Sequence, residues 1–219
     1  MKLTANAIFI TVLSASSVAQ ANLVNNGSFE LPKISTSNII ISSGSSTLAG
    51  WEISGTSGID LVGSVWQPVD GNQSVSLNWT SPSTISQTIS TNSGSLYELE
   101  FSLAAEHPAA NSTMRTLDIF WGNSLVSSLS FDPAGFTNVD MGWITYKFQL
   151  LGTGVDELKF VSTTPANYGP ALDNISVSAV PEPHPAALYL LGCTAIFLLS
   201  QRSFIFARFG GPLRGRRQS

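Results

Sequence analysis

The stretch LYELEFSLA, residues 96–104, alternates between apolar and polar side chains. Tyr97, Leu99 and Phe101 fall on one side of an extended backbone, and the residues between them are glutamates. Successive side chains of a β-strand point to opposite faces of its sheet, so this period of two predicts a strand with one buried face. A helix would instead repeat its apolar residues three and four positions apart.

The same alternation returns further along the chain, in WITYKFQL (143–150) and in DELKFVS (156–162). Shorter apolar runs such as NIIIS, GIDLV and TLDIFW are separated by Gly, Pro, Asn and Asp, which favour turns. No stretch of the central part of the chain has a convincing helical period. Many short strands at intervals of roughly 8–12 residues predict an all-β fold, specifically a jelly-roll β-sandwich.

The central part of the chain, residues 22–179, is acidic. It contains four lysines and arginines against thirteen aspartates and glutamates, a formal net charge of about −9, whereas the whole chain carries −4. An acidic domain repels nucleic acid, so we expect no nucleic-acid partner. Neutral glycans and divalent cations suit its charge better, and its length is sufficient for one domain with a hydrophobic core.

The first 21 residues have the order of features that is typical of a secretory signal peptide. Lys2 gives a positive start, the apolar run IFITVL follows at 8–13, and Ala19-Gln20-Ala21 forms an A-x-A cleavage site. We therefore expect export through the secretion machinery, with cleavage after Ala21. A buried N-terminal strand or helix is the alternative, but it does not account for this order.

The last part of the chain, residues 180–219, predicts a membrane-directed tail. Residues 186–200 are uncharged and form a predicted apolar helix. At 1.5 Å per residue this helix spans roughly 22 Å, so it needs the residues that follow to cross a ~30 Å hydrocarbon core. Five arginines lie beyond it, at 202, 208, 214, 216 and 217. Because cationic flanks stay cytoplasmic, we expect a transmembrane helix with the main domain outside the cell membrane.

The tripeptide Pro181-Glu182-Pro183, followed by an apolar helix and an arginine cluster, resembles the PEP-CTERM sorting signal of exopolysaccharide-producing Gram-negative bacteria. In that family an exosortase, a membrane-embedded processing enzyme, recognises Pro-Glu-Pro. The resemblance implies that this chain is anchored in the membrane, at least transiently, or sorted to the cell surface or extracellular matrix.

A second resemblance covers most of the domain. The segments NLVNNGSFE (22–30), GWEISGTSGIDLVGSVWQPVDGNQSVSLN (50–78) and GPALDNISV (169–177) are similar to the choice-of-anchor C family, which is related to DUF642 proteins. The resemblance implies a galactose-binding-like jelly roll. The chain differs from the family pattern at Ser76, where Asp is usual, and at Ala105–Pro108, where Gly-Asn-Pro is usual.

Glu30 and Asp173 are the candidate metal ligands. In jelly-roll carbohydrate modules with a similar N-G-x-F-E start, a structural calcium often links the first and last strands. Calcium prefers carboxylate and carbonyl oxygens, and these two residues would meet if those strands lie side by side. We therefore expect that one structural calcium could bind there; the alternative is that both carboxylates cap turns or accept backbone amides.

Aromatic side chains in loop-like stretches are the candidate glycan-binding residues. They are Trp66 with the nearby Asp70, Trp79, and Tyr168 in TPANYGPA. Sugar rings stack on exposed aromatic faces while polar neighbours bind the hydroxyls. The alternative for each tryptophan is packing in the core or at its rim.

Catalysis is not expected. His107 is the only histidine of residues 22–179, and neither a G-x-S-x-G elbow nor an H-E-x-x-H motif occurs. Thirteen acids leave paired carboxylates for glycoside hydrolysis open, but no pair stands out. We expect an exported, exosortase-sorted protein that binds extracellular polysaccharide without catalysis. A structural envelope or biofilm protein with no specific ligand is the alternative, and a glycan-active enzyme is a third.

Overall fold

The computed structural model describes residues 20–107, 113–165 and 167–182. All regular secondary structure within these ranges is β-strand, which confirms the all-β prediction. The strands are β1 (Asn38–Ser42), β2 (Glu52–Gly55), β3 (Gly58–Val62), β4 (Ser74–Ser76), β5 (Ser83–Ser90), β6 (Leu96–Ala105), β7 (Arg115–Trp121), β8 (Ser124–Phe131), β9 (Ile144–Leu151), β10 (Val155–Ser162) and β11 (Pro170–Ala179).

The strands form two antiparallel sheets that pack as a sandwich. The six-stranded sheet has the order β1-β3-β4-β11-β6-β9, and the five-stranded sheet has the order β2-β5-β10-β7-β8. Neighbours in space are often distant in sequence; β11, for example, lies between β4 and β6. Residues from widely separated loops therefore meet at the ends of the sandwich.

The core lies between the two sheets and is built from the apolar faces that alternation predicts. Leu99, Phe101 and Leu103 of β6 are all buried. The rings of Phe101 and Phe160 meet edge to face, with 5.0 Å between their centroids, and thereby join the six-stranded sheet to the five-stranded one. Such aromatic contacts add to the stabilisation that burial itself provides.

The outer face of the six-stranded sheet is also buried around β4, β6 and β11. Its side chains there are small: Ser74, Ser76, Ser102, Ala104 and Ala171 are all 0–1% exposed. Segments 63–73 and 132–143 cover this face and are joined to each other by a hydrogen bond of 2.9 Å from the Trp143 indole N–H to the Gln67 carbonyl. Small residues on the sheet allow these segments to approach closely.

The chain divides into two compact units, residues 1–180 and residues 181–219. The predicted signal peptide lies outside the described residues apart from Gln20 and Ala21, and so does the predicted tail beyond Glu182. In the part of the chain that the structure describes, no helix is long and apolar enough to cross a membrane.

Candidate functional site

Asp173 holds one end of the turn formed by residues 69–73. This residue of β11 is fully buried. Its Oδ2 atom accepts hydrogen bonds from the backbone N–H groups of Val69, at 2.7 Å, and Asp70, at 3.0 Å. Its Oδ1 atom accepts the N–H of Asn174 at 2.7 Å. One carboxylate thus satisfies three backbone donors that would otherwise be costly to bury.

Glu30 holds the other end of the same turn. Its Oε1 atom accepts the backbone N–H groups of Asn72 at 2.6 Å and Gln73 at 2.8 Å. Gly71 permits this approach because it has a φ of +63°, and because a Cβ there would lie 2.4 Å from Glu30 Oε1. The two carboxylates expected to bind calcium therefore act on one turn from its two ends.

The predicted calcium ligands, Glu30 and Asp173, already accept hydrogen bonds from backbone amides. Glu30 Oε1 and both Asp173 oxygens already accept N–H groups, so a cation bound at these atoms would share them with amide donors. Within residues 20–107, 113–165 and 167–182, no group of three or more His, Cys, Asp or Glu side chains could hold a metal ion. In this arrangement both carboxylates serve backbone amides, and calcium binding stays a prediction.

Trp66 does not occupy the position expected of a sugar-stacking side chain. It is 5% exposed, and its indole N–H donates to Ser74 Oγ at 2.8 Å on the covered face of the six-stranded sheet. Its expected exposure is therefore wrong, because segment 63–73 folds back onto the sheet instead of standing out as a loop. Asp70 is exposed, and its carboxylate accepts the Ser28 hydroxyl at 2.6 Å.

Trp79 and Tyr168 lie on neighbouring segments at one end of the sandwich. Trp79 is 42% exposed and Tyr168 is half-buried. Segment 168–170 lies directly against segment 77–79, because the Leu77 N–H donates to the Pro170 carbonyl at 3.0 Å. We call these two segments, with Glu106, the Trp79 end. The strand β4 separates it from Trp66 and Asp70, so the four predicted glycan-binding residues do not form one site.

A pair of carboxylates borders the Trp79 end. Glu106 Oε2 accepts the Ser76 hydroxyl at 2.9 Å, and the backbone N–H of Glu106 donates to the Gly169 carbonyl at 3.1 Å. Asp60, which pairs with Ser76 across β3 and β4, is buried and accepts an amide N–H of Asn38 at 3.0 Å. Ser76 and Glu106 are thus in contact, and both lie where the sequence differs from the family pattern.

Burial controls the ionisation of this pair. Burial is the main reason that the pKa of Glu106 is raised to about 7; the Ser76 hydroxyl lowers this pKa, and the negative charge of Asp60 raises it. Burial likewise raises the pKa of Asp60. A retaining or inverting hydrolase needs both carboxyl groups at the substrate. Asp60 is 9% exposed and bound to Asn38, so the geometry favours a structural role for the pair.

Sequence reasoning missed this pair, although a signal was present. Neither Asp60 nor Glu106 stands out among thirteen acids. The signal lay in the resemblance to the choice-of-anchor C family, which implies an Asp at position 76 and a different sequence at Ala105–Pro108, where Glu106 lies.

The stability of the domain is expected to fall as pH rises from 5 to 8. Glu106 and Asp173 both have a pKa raised to about 7, so each stabilises the folded state fully below its ordinary pKa and loses that contribution as pH passes 7. Glu106→Gln removes one of these two ionisable carboxyl groups. We expect this substitution to raise the free energy of unfolding at pH 8 by on the order of 2 kcal/mol. Urea denaturation at both pH values measures this, and a variant whose pH profile matches that of the wild type contradicts it.

Comparison with known proteins places the chain in a family. Residues 22–178 match the family described as "Protein of unknown function (DUF642)". Halomucin of Haloquadratum walsbyi is 27% identical over 182 residues, which cover 80% of this chain and 2% of that protein. The chain therefore spans about 2% of the length of this curated relative.

Among solved structures, several carbohydrate-binding modules are similar in fold. TmCBM61, solved with β-1,4-galactotriose, has a TM-score of 0.49 at 15% identity, covering 73% of this chain and 99% of that one. A family 35 module from Clostridium thermocellum has a TM-score of 0.44 at 18% identity, covering 65% and 98%. At such identities the likeness concerns the fold alone. Because the family match extends over most of the sequence, this chain belongs to the DUF642 family.

Proposed function

We propose that this chain is a non-catalytic carbohydrate-binding protein whose domain is a galactose-binding-like jelly roll. The observation that carries the proposal is the exposed side chain of Trp79, whose segment lies against the segment of Tyr168 at one end of the sandwich. A large aromatic side chain that stays 42% exposed offers a stacking surface for the C–H face of a sugar ring.

The surroundings of the Trp79 end favour a neutral glycan. Glu106 borders the site and Asp60 lies behind it. The domain as a whole carries a formal charge of about −9, which would repel an anionic polysaccharide at long range. Asn167 is exposed in the same loop as Tyr168, and amide side chains of this kind bind sugar hydroxyls.

The ends of the chain support a proposal about its location. The signal-peptide pattern and the Pro181-Glu182-Pro183 motif, with the apolar stretch and arginines that follow it, fit an exported choice-of-anchor C protein sorted by an exosortase. We propose the cell surface or the extracellular matrix of a Gram-negative bacterium as its destination, with extracellular polysaccharide as its partner. Mass spectrometry of the chain from its native host tests this: a mature protein that begins at Met1 contradicts export by this signal.

Replacement of Trp79 by alanine is expected to weaken glycan binding at least tenfold, because a central aromatic contact is removed. Tyr168→Ala should have a smaller effect in the same direction. Leu96→Ala is the matched control, since Leu96 is 45% exposed but lies at the start of β6, away from the Trp79 end. Affinity electrophoresis in gels that contain neutral polysaccharides measures the effect. If every polysaccharide that retards the wild type retards Trp79→Ala equally, the binding site lies elsewhere.

A further inference from the structure

A cleft of about 690 Å³ lies at the other end of the sandwich. The β7–β8 turn and the β9–β10 turn form its two walls, and Trp121, Phe148, Asn123 and Gln149 are among its lining residues. Its volume falls in the range of small-molecule binding sites. The proposed glycan site does not use any of these residues.

Strand geometry gives the distance between this cleft and the Trp79 end. Strand β10 begins at Val155, which lines the cleft, and ends at Ser162. Two residues later, the Thr164 carbonyl accepts the side-chain N–H of Asn78, the neighbour of Trp79, at 3.0 Å. At about 3.3 Å per residue, the extended chain between the two places spans roughly 25–30 Å.

The walls of the cleft are held rigidly. The indole N–H of Trp121 donates to the Leu151 carbonyl at 2.9 Å, which joins the end of β7 to the end of β9. Asp156 is 3% exposed, and its carboxylate accepts the backbone N–H of Thr153 at 2.9 Å and the Thr91 hydroxyl at 2.5 Å. These hydrogen bonds hold the pKa of Asp156 below its usual range, although burial acts against them. A site formed in advance loses little entropy when a ligand binds.

The chemistry of the lining fits a neutral sugar. Phe148 is half-buried, and Leu151 is 55% exposed, so both present apolar surface. Asn123 and Gln149 are exposed, and neither side chain hydrogen-bonds another residue in the part of the chain that the structure describes. Their amides are therefore available to sugar hydroxyls. Lys and Arg do not occur among the lining residues, and the buried carboxylate of Asp156 disfavours an anionic ligand.

We infer that this cleft is a second binding site for a neutral glycan, so that one domain holds two polysaccharide segments. The holding of two polysaccharide segments by one domain depends on the proposed function, because it needs the Trp79 end as the first site. Two sites at opposite ends of a rigid sandwich cannot both hold one short oligosaccharide. They would instead bridge separate chains, and multivalent attachment strengthens such a network beyond either single affinity.

The test is calorimetric titration of the full chain with neutral trisaccharides of β-1,4-galactan, xylan, β-glucan and mannan. For at least one of them we expect two molecules bound per chain. Gln149→Ala combined with Asn123→Ala should weaken one binding event at least tenfold, and Trp79→Ala should weaken the other. Ser128→Ala, a change on the exposed side of β8, is the control and should leave both events unchanged.

The outcomes separate this inference from the proposed function. One bound molecule that is lost only in Trp79→Ala overturns the cleft and leaves the proposed site intact. One bound molecule that is lost only in the Gln149 and Asn123 variant supports the cleft but overturns the Trp79 site. Absence of binding to every trisaccharide overturns both. Beads coated with the bound polysaccharide should be agglutinated by the wild type and not by either single-site variant.

Discussion

Replacement of Asp173 by alanine is expected to lower the free energy of unfolding by about 4 kcal/mol. The carboxylate is fully buried and accepts three backbone N–H groups, from Val69, Asp70 and Asn174. Alanine leaves these donors without an acceptor, and an unsatisfied buried group costs about 1–3 kcal/mol. Partial entry of water relieves some of this cost, so the sum is smaller than three separate penalties.

Asp70→Ala is the control for this substitution. Asp70 lies on the same turn, but it is exposed, and its carboxylate accepts the hydroxyl of Ser28 at 2.6 Å. We expect it to change stability by less than about 1 kcal/mol. Urea denaturation at pH 7 measures both variants. If Asp173→Ala proves as stable as Asp70→Ala, the turn does not depend on the buried carboxylate.

The same two variants test the predicted calcium ion. If calcium binds at Glu30 and Asp173, added calcium should raise the Tm of the wild type and of Asp70→Ala but not that of Asp173→Ala, because only folded protein with both ligands binds it. A Tm of the wild type that is the same in calcium and in chelator contradicts the calcium prediction. The two carboxylates would then act only as acceptors for backbone amides.

Gly27→Ala should have a second large effect, a loss of about 3 kcal/mol or more in the free energy of unfolding. Gly27 belongs to the segment NNGSFE, and its carbonyl accepts the N–H of Ile175 on β11 at 3.0 Å. A Cβ at position 27 would lie 1.9 Å from the carbonyl oxygen of Ile175. Backbone cannot move aside as a flexible side chain can, so the N-terminal segment would separate from β11.

Gly94→Ala separates this clash from the general cost of replacing glycine. Gly94 has a φ of +84°, and a Cβ there would have no neighbour within 4 Å. Its replacement therefore incurs only the backbone strain, about 1 kcal/mol. Thermal denaturation of both variants gives the comparison. Equal Tm values for the two would contradict the close contact between Gly27 and β11.

The alternation in residues 96–104 was sufficient to predict β6, because one face of that strand meets the core and half of its other face meets solvent. It did not predict that Ser102 and Ala104 are also buried. Periodicity describes one strand and its two faces, whereas the cover over these residues comes from segments 63–73 and 132–143. Such a contact depends on topology, which local sequence does not contain.

The same reason explains the mixed outcome for the candidate site. Trp66, Trp79 and Tyr168 all lie in polar, turn-rich sequence, but only the last two are on an accessible end of the sandwich. Segment 63–73 is held against the sheet by hydrogen bonds to Asp173, which lies more than 100 positions away in the sequence. Asp156 lies on the same face of β10 as Leu158 and Phe160, and its carboxylate is buried there because it holds the turn at Thr153.

The most direct test of the central claim is binding of the isolated domain, residues 22–180, to a panel of neutral polysaccharides. Residues up to 180 form a compact unit of their own, so the tail is not needed for the assay. The account predicts saturable binding to at least one polysaccharide, and a loss of at least tenfold in the affinity of one binding event for Trp79→Ala but not for Leu96→Ala. A folded domain that binds none of them would contradict carbohydrate binding and favour a structural envelope or matrix protein.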